Sequence, residues 1–308
     1  MITTSAPGSI MICGEHAVLQ GATAVAGAID RRVQVCLLPR RDNLIRIHSA
    51  LGNREMQLDR MDDSPPFSFL VRSALAASGP LLRGFDLEVQ ADMPPDVGLG
   101  SSAAVSVAVY AAVYLLDRSA LPALPEMQQE VLQVIRSIQG MASGTDVAAS
   151  LYGGVIAYNQ DEGVLEQFYD FPEVELYYVG YKTPTAAVIQ TVTRMRAQEP
   201  DYFAALDRKM HCSSTDVREA WRRQDWALLG PVFVQAQSVM EQFGVCDVSL
   251  RVLIEILRAQ PGITGCKISG SGMGDCVLAV GRALRPDAIP YRCIPVSFCS
   301  EGLRTEVS

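Results

Sequence analysis

Lysine is scarce in this chain. Its 308 residues include only three, Lys182, Lys209 and Lys267, and the rest of the positive charge is arginine. Chemistry that needs an ammonium group therefore has few candidates. Basic residues are outnumbered 34 to 26 by acidic ones, for a formal charge of −8. Because phosphate backbones and anionic lipid surfaces are held by clustered Lys and Arg, this balance excludes broad binding to nucleic acid or membrane and leaves room only for a local basic pocket. The eight cysteines contain no C-x-x-C pair and no metal-finger spacing. They read as reduced, buried thiols, the pattern of a cytoplasmic protein. The beginning of the chain has no basic stretch leading into an apolar one, so no secretory signal is expected. The longest apolar stretch, residues 103–116, is interrupted by Ser106. It falls short of the roughly 20 residues a membrane span needs and is expected to form a buried helix instead. Internal repeats, heptads and low-complexity tracts are also missing.

What is present is apolar: 49% of the residues are hydrophobic, enough for a substantial core in one composite domain or two closely packed halves. Strands are expected over 9–13, 33–38, 44–48, 56–58 and 85–90, where β-branched and apolar residues lie between turn formers. Helices are expected over 67–77, 103–116 and 126–137, the last introduced by prolines that suit a helix start. A loop running into a short helix follows over 140–151, then strands at 154–158 and 175–181. Helical periodicity dominates 186–259, and strands return at 265–269, 276–280 and 292–298. Strands, then helices, then strands indicate an α+β fold, with a soft boundary near 154–161.

Three glycine-bearing segments carry the chemistry. In Pro94-Pro95-Asp96-Val97-Gly98-Leu99-Gly100-Ser101-Ser102-Ala103-Ala104, a glycine-hinged loop enters a helix of small residues. Gly98 and Gly100 can take positive φ and let an anion approach the backbone. Ser101 and Ser102 add hydroxyls where the first helical N–H groups lack partners, at the positive end of the helix dipole. The same residues also serve an ordinary strand-to-helix turn with a serine N-cap. Near the amino terminus, Ala6-Pro7-Gly8-Ser9-Ile10-Met11-Ile12-Cys13-Gly14-Glu15-His16 ends an apolar run on a glycine, an acid and an imidazole. Late in the chain, Lys267-Ile268-Ser269-Gly270-Ser271-Gly272-Met273-Gly274-Asp275-Cys276 places a glycine-rich turn between two apolar stretches.

In this order, the three segments resemble the GHMP kinase superfamily, in particular its mevalonate and phosphomevalonate branch, over almost the whole chain. The resemblance implies two α+β lobes, 1–157 with the ATP-binding loop and 158–308 with the third motif, and an active-site cleft between them. It implies ATP and Mg²⁺, a small-molecule alcohol as acceptor, and no nucleic-acid or membrane partner. Gly98, Leu99, Gly100, Ser101 and Ser102 would hold the nucleotide phosphates, with Ser102 reaching the metal. Gly270, Ser271, Gly272 and Gly274 would close over them, although a glycine-rich hairpin turn would use the same residues. Ser143-Gly144-Thr145-Asp146 resembles the segment whose aspartate faces the substrate alcohol. Asp146 is thus the candidate base, or an orienting carboxylate, against the alternative that it only caps the following helix. Glu15, His16, Ser143 and Thr185 are the candidate substrate contacts. His48 and His211 have no motif around them and are expected to be structural. A homodimer would be an ordinary assembly, with no particular residue arguing for it.

Two departures stand out. Kinases of this branch carry a lysine after the Pro-Gly of the first motif, where this chain has Ser9, and a metal-binding glutamate at the spacing that here falls on Ile135. Lys182, beside Thr183 and Thr185 at a strand end, is a candidate to enter the cleft as a replacement cation. The plain alternative for it is an exposed turn lysine. Glu130 is a candidate displaced metal ligand, or simply a solvated helix residue. Mevalonate, converted to mevalonate 5-phosphate in isoprenoid biosynthesis, is the favoured acceptor. Phosphomevalonate is the runner-up, because residues 143–152 and the Gly274-Asp275-Cys276 ending resemble phosphomevalonate kinases, and it would want arginines such as Arg136, Arg194 and Arg196 in the pocket. Homoserine, another alcohol, or a non-catalytic ligand-binding relative remain alternatives. Sugars are disfavoured because Val147 follows Asp146 where sugar kinases of the superfamily tend to carry glutamine.

Overall fold

The computed structural model describes residues 1–79, 83–94 and 97–308. Pro95 and Asp96 of the first glycine loop lie outside the described residues. The chain starts with a long antiparallel pair, β1 (Ile2–Cys13) and β2 (Ala24–Pro39), followed by β3 (Leu44–Ser49), β4 (Gly52–Gln57), helix α1 (Ser68–Ala77) and β5 (Phe85–Ala91). Helices α2 (Ser101–Asp117), α3 (Leu124–Gln139) and α4 (Thr145–Tyr152) come next, then the hairpin β6 (Val155–Asn159) and β7 (Gly163–Phe168). After β8 (Val174–Lys182) come α5 (Thr185–Gln198), α6 (Pro200–Arg223), α7 (Leu229–Gln242) and α8 (Val248–Arg258). The chain closes with β9 (Ile263–Ser269), β10 (Gly274–Gly281), β11 (Arg292–Ile294) and β12 (Arg304–Val307).

Two sheets result. The first runs β12-β1-β2-β5-β3-β4, with the β6–β7 hairpin attached to β2, and is antiparallel except for the parallel β3–β5 pair. The second is antiparallel, in the order β11-β8-β10-β9. Helix α2 lies on β1 and β2 with α1, α3 and α4 around it, while α7 and α8 cover the second sheet. This is the α+β arrangement expected from the element order. Among the described residues no helix is long and apolar enough to cross a membrane. The apolar stretch at 103–116 is α2, almost wholly buried because it is apolar all round and enclosed on every side.

The structure differs from the sequence-based expectation mainly at strands. β1 begins at Ile2 instead of residue 9, although its first half contains polar residues, Pro7 and Gly8. Pro7 is tolerated because the β1–β2 register shifts between Pro7 and Ser9, and the Pro7 carbonyl accepts a 2.7 Å hydrogen bond from Ser150 Oγ of α4. β7 and β12 were not anticipated. β12 is exposed along its length and shows no inward apolar pattern, yet it pairs with residues 2–5. The expected strand at 292–298 stops at Ile294, before Pro295.

Gly8 positions the site. A Cβ built there would lie 2.4 Å from the Leu99 carbonyl oxygen and under 3 Å from Met93, and the neighbouring Ser9 N–H donates to that same carbonyl at 2.9 Å. Only glycine lets β1 pass this close beneath the loop. Gly8→Ala should therefore lower unfolding stability by about 1–3 kcal/mol, the usual cost of overpacking, and weaken nucleotide binding. Denaturant titration and nucleotide titration check the two effects.

Candidate active site

A single cleft collects most of the predicted residues. Glu15, His16, Gly98, Leu99, Gly100, Ser101, Ser102, Ser143, Asp146, Thr185, Gly270 and Ser271 all line it, together with Ile135, Lys182 and Asp275. Gly272 and Gly274 stand behind the wall, packed against Val245 and Tyr181, where their positive φ shapes the turn.

The glycine loop delivers the amino end of α2 to the cleft. Gly100, at φ 66°, occupies the N-cap position, and no side chain caps the helix. The serine N-cap reading therefore fails: Ser101 and Ser102 belong to the first turn and face the cleft alongside its N–H groups. That surface suits an anion. Ser271, which also lines the cleft, has a buried Oγ with no hydrogen-bond partner. The metal donors are few. Ser102 offers a hydroxyl, Ile135 presents hydrocarbon at the position expected for glutamate, and no group of three or more His, Cys, Asp or Glu is assembled among the described residues. Such a set fits an ion held mainly by substrate phosphates and water, as is usual for Mg²⁺.

Asp146 lies in the first turn of α4. Gly144, not Asp146, is the N-cap there, so the capping alternative also fails. One face of Asp146 opens onto the cleft, and its Oδ1 accepts a 2.8 Å hydrogen bond from Ser9 Oγ. Enclosure by protein raises its pKa above the ordinary carboxylate value, while the Ser9 hydrogen bond and the charge of Lys182 pull it back down. Ser143 supports this turn: its hydroxyl bonds with Thr145 Oγ1 at 2.9 Å, and its carbonyl accepts from Tyr158 Oη at 2.9 Å.

His16 is buried with a left-handed backbone at φ 59°. Its Nε2 lies 2.9 Å from the Ser271 carbonyl oxygen, an acceptor only, which assigns the ring proton to Nε2. Burial lowers its pKa, so the imidazole is neutral at neutral pH. Glu15 forms a fully enclosed ion pair with Lys267 of β9, whose ammonium also donates to the Ile268 carbonyl. The second oxygen of Glu15, Oε2, has no partner. Sequence reading missed this pair. A lysine inside a β-branched strand pattern was the available signal, since an ammonium there must find an acid. It also gave no role to Asp275, which is 2% exposed, has a left-handed φ of 80° and lies 3.6 Å from Lys182 Nζ.

A glycine-loop helix start, a partly buried third glycine turn and an aspartate exposed to the same cleft define a phosphate-handling enzyme on an α+β scaffold. Comparison with known proteins agrees. The family profile described as GHMP kinases N terminal domain matches residues 68–154, and the one described as GHMP kinases C terminal matches 217–289. The chain is 30% identical to the mevalonate kinase of Archaeoglobus fulgidus, covering 92% of this chain and 93% of that one. It is 28% identical to the mevalonate kinase of Aeropyrum pernix, covering 90% and 87%. The crystal structure of the Methanococcus jannaschii mevalonate kinase superposes with a TM-score of 0.80 at 18% identity, over 97% of this chain and 98% of that one. The chain belongs to the GHMP kinases and is a small-molecule kinase.

The Glu15–Lys267 pair generates a stability prediction. Lys267→Ala leaves Glu15 charged and unpaired in the interior and should cost about 3–5 kcal/mol. The double replacement Glu15→Gln/Lys267→Met should recover much of that loss. Denaturant midpoints of the three proteins test it.

Proposed function

We propose that the protein phosphorylates mevalonate with ATP to give mevalonate 5-phosphate, a step of isoprenoid biosynthesis. The observation that carries this reading is the placement of an accessible carboxylate, Asp146, in the same cleft as the amino end of α2, which no side chain caps. The names of the related kinases support the acceptor. The phosphomevalonate alternative wants arginines in the cleft, and among the described residues none of Arg136, Arg194 and Arg196 lines it. Arg196 is engaged by Asp207, and Arg136 Nε donates to the Ala142 carbonyl at 3.0 Å. The two-lobe division belongs to the same proposal and is supported by the two family profiles, which fall on either side of 157/158; that boundary itself cuts β6, whose hairpin with β7 stays on the first sheet.

In this reading the N–H groups of the α2 first turn, with Ser101 and the Ser271 hydroxyl, hold the nucleotide phosphates. Leu99 and the glycines Gly98, Gly100 and Gly270 bring backbone close to them, and Gly272 and Gly274 keep the third motif in its turn. Ser102 would hold Mg²⁺ together with phosphate oxygens, the ion neutralising charge on the nucleotide. His16, Thr185 and Ser143 form the acceptor side, with Glu15 beneath them held by Lys267. Asp146 orients the acceptor hydroxyl and takes its proton. The hydroxyl oxygen forms a bond to the γ-phosphorus, the bond from that phosphorus to the β,γ-bridging oxygen breaks, and its electron pair leaves with ADP.

Coupled ADP release with Mg-ATP and mevalonate, phosphomevalonate, homoserine or sugars tests the assignment. Turnover should be confined to mevalonate, and Asp146→Asn should lower kcat by about 100-fold or more with nucleotide affinity retained. Turnover on another acceptor alone would refute the substrate.

A pH dependence follows. A base with a raised pKa must lose its proton before it works, so kcat/KM falls on the acid side at a pH above the ordinary carboxylate value of 3.8. The groups facing Asp146 are Ser9 from β1, Lys182 from β8 and the like-charged Asp275 from β10. Ser9→Ala removes a donor that favours the ionised form, so the acid limb should move to higher pH. A limb that stays put would assign it to another group, such as His16.

A further inference from the structure

We infer that Lys182, held in place by Asp275, is the cation that meets the transferring phosphoryl group. This rests on the phosphoryl-transfer reading above and adds a residue to it. The need is electrostatic. Two carboxylates, Asp146 and Asp275, face the same cleft, and a phosphoryl group arriving beside them brings further negative charge. Charge that spreads over a transferring phosphoryl group is met in an enzyme by a prepositioned cation. Among the described residues lining this cleft, Lys182 is the one Lys or Arg. The other two lysines are spent elsewhere: Lys267 is enclosed with Glu15, and Lys209 is an exposed helix residue 3.4 Å from Gln242.

The base of Lys182 is fixed. It ends β8, where its backbone is paired with Gly274, and the next residue, Thr183, donates from Oγ1 to the Met273 carbonyl at 2.5 Å. Its side chain keeps 24% exposure, while that of its partner Asp275 keeps 3%. Asp275 is built to stay. It holds a left-handed backbone that costs a non-glycine residue strain, and Gly98 and Gly270 leave room for its carboxylate. Its Oδ2 faces Lys182 Nζ at 3.6 Å, and its Oδ1 is buried without a hydrogen-bond partner. Lys182 therefore faces the acid that anchors it, and its charge also reaches Asp146 in the same cleft. Burial raises the pKa of both acids, and the charge of Lys182 works against that rise. Asp275 is a positioning residue that acts through Lys182.

With only three lysines, the proposal can be read directly. Reductive ¹³C-methylation keeps the ammonium charge and gives few NMR signals, with Lys182 assigned by its loss in Lys182→Arg. The Lys182 signal should shift when the non-hydrolysable analogue AMPPNP is added and shift less with ADP. An unmoved signal overturns the proposal whether or not the wild type turns over any acceptor. In steady-state assays, Lys182→Met should lower kcat about 100-fold with the KM for ATP within about threefold, and Lys182→Arg should recover part of the loss. Asp275→Asn should lower kcat about tenfold alone and have no further effect in the Lys182→Met background, because coupled residues are not additive. A Lys182→Met enzyme within twofold of wild type overturns the proposal. So does an Asp275→Asn loss that persists in full without Lys182 or appears as a raised Mg²⁺ requirement. A failed substrate assignment, by contrast, shows as wild-type inactivity on mevalonate with the AMPPNP response intact.

Discussion

The close passage of the first strand beneath the glycine loop is the constraint on which the site depends. Gly8 leaves room for the Leu99 carbonyl, which accepts the Ser9 N–H, and Gly100 sits where a side chain would strike Ser9 Oγ. Once that contact is made, Ser9 Oγ can reach Asp146, and Ser150 can reach the Pro7 carbonyl at the register shift. One strand thus sets the separation between the start of α2 and the start of α4. The distance from phosphate cradle to carboxylate is fixed by backbone packing on a central strand and not by flexible side chains.

The second fixture ties the two sheets together. Ser269 Oγ donates to the Met11 carbonyl at 2.8 Å, and Lys267 meets Glu15 beneath the cleft floor. Enclosed ion pairs add little net stability, because desolvation offsets the attraction, but breaking one leaves an uncompensated charge. The pair therefore penalises any shift of the third glycine motif relative to the first. His16 repeats the tie through the Ser271 carbonyl.

Much of this was legible in the sequence, for identifiable reasons. The three glycine-bearing motifs were readable because tight backbone approaches need glycine wherever they occur, and α2 because a long apolar run must be enclosed. Asp146 and the serines of the loop were found as residue types, but their local roles were not: a sequence shows a serine or aspartate near a helix start without showing that glycine already occupies the cap. The first half of β1 and all of β12 were hidden because their pairing is decided by partners elsewhere in the chain, for β12 at its opposite end, and not by an apolar alternation of their own. Asp275 and Lys267 were hidden for a related reason. Each is a charge in the interior whose partner is remote in sequence, so neither pair has a local signature.

In the proposed reading, Ser9 and Lys182 together stand where the resemblance implies a single lysine. A carboxylate enclosed by protein is held ionised either by a nearby cation or by donated hydrogen bonds. Here the hydrogen bond comes from Ser9 and the charge from Lys182, two groups on different sheets. Under the glycine loop Gly100 closes onto Ser9, leaving no room for a Cβ at residue 100. Dividing the task brings the positive charge to the cleft from the side of the third motif. Asp275, the acid that faces that cation at 3.6 Å, stands next to Gly98 and Gly270, between the two loops that would enclose a nucleotide's terminal phosphate. The missing lysine and the unexpected aspartate are then two ends of one rearrangement.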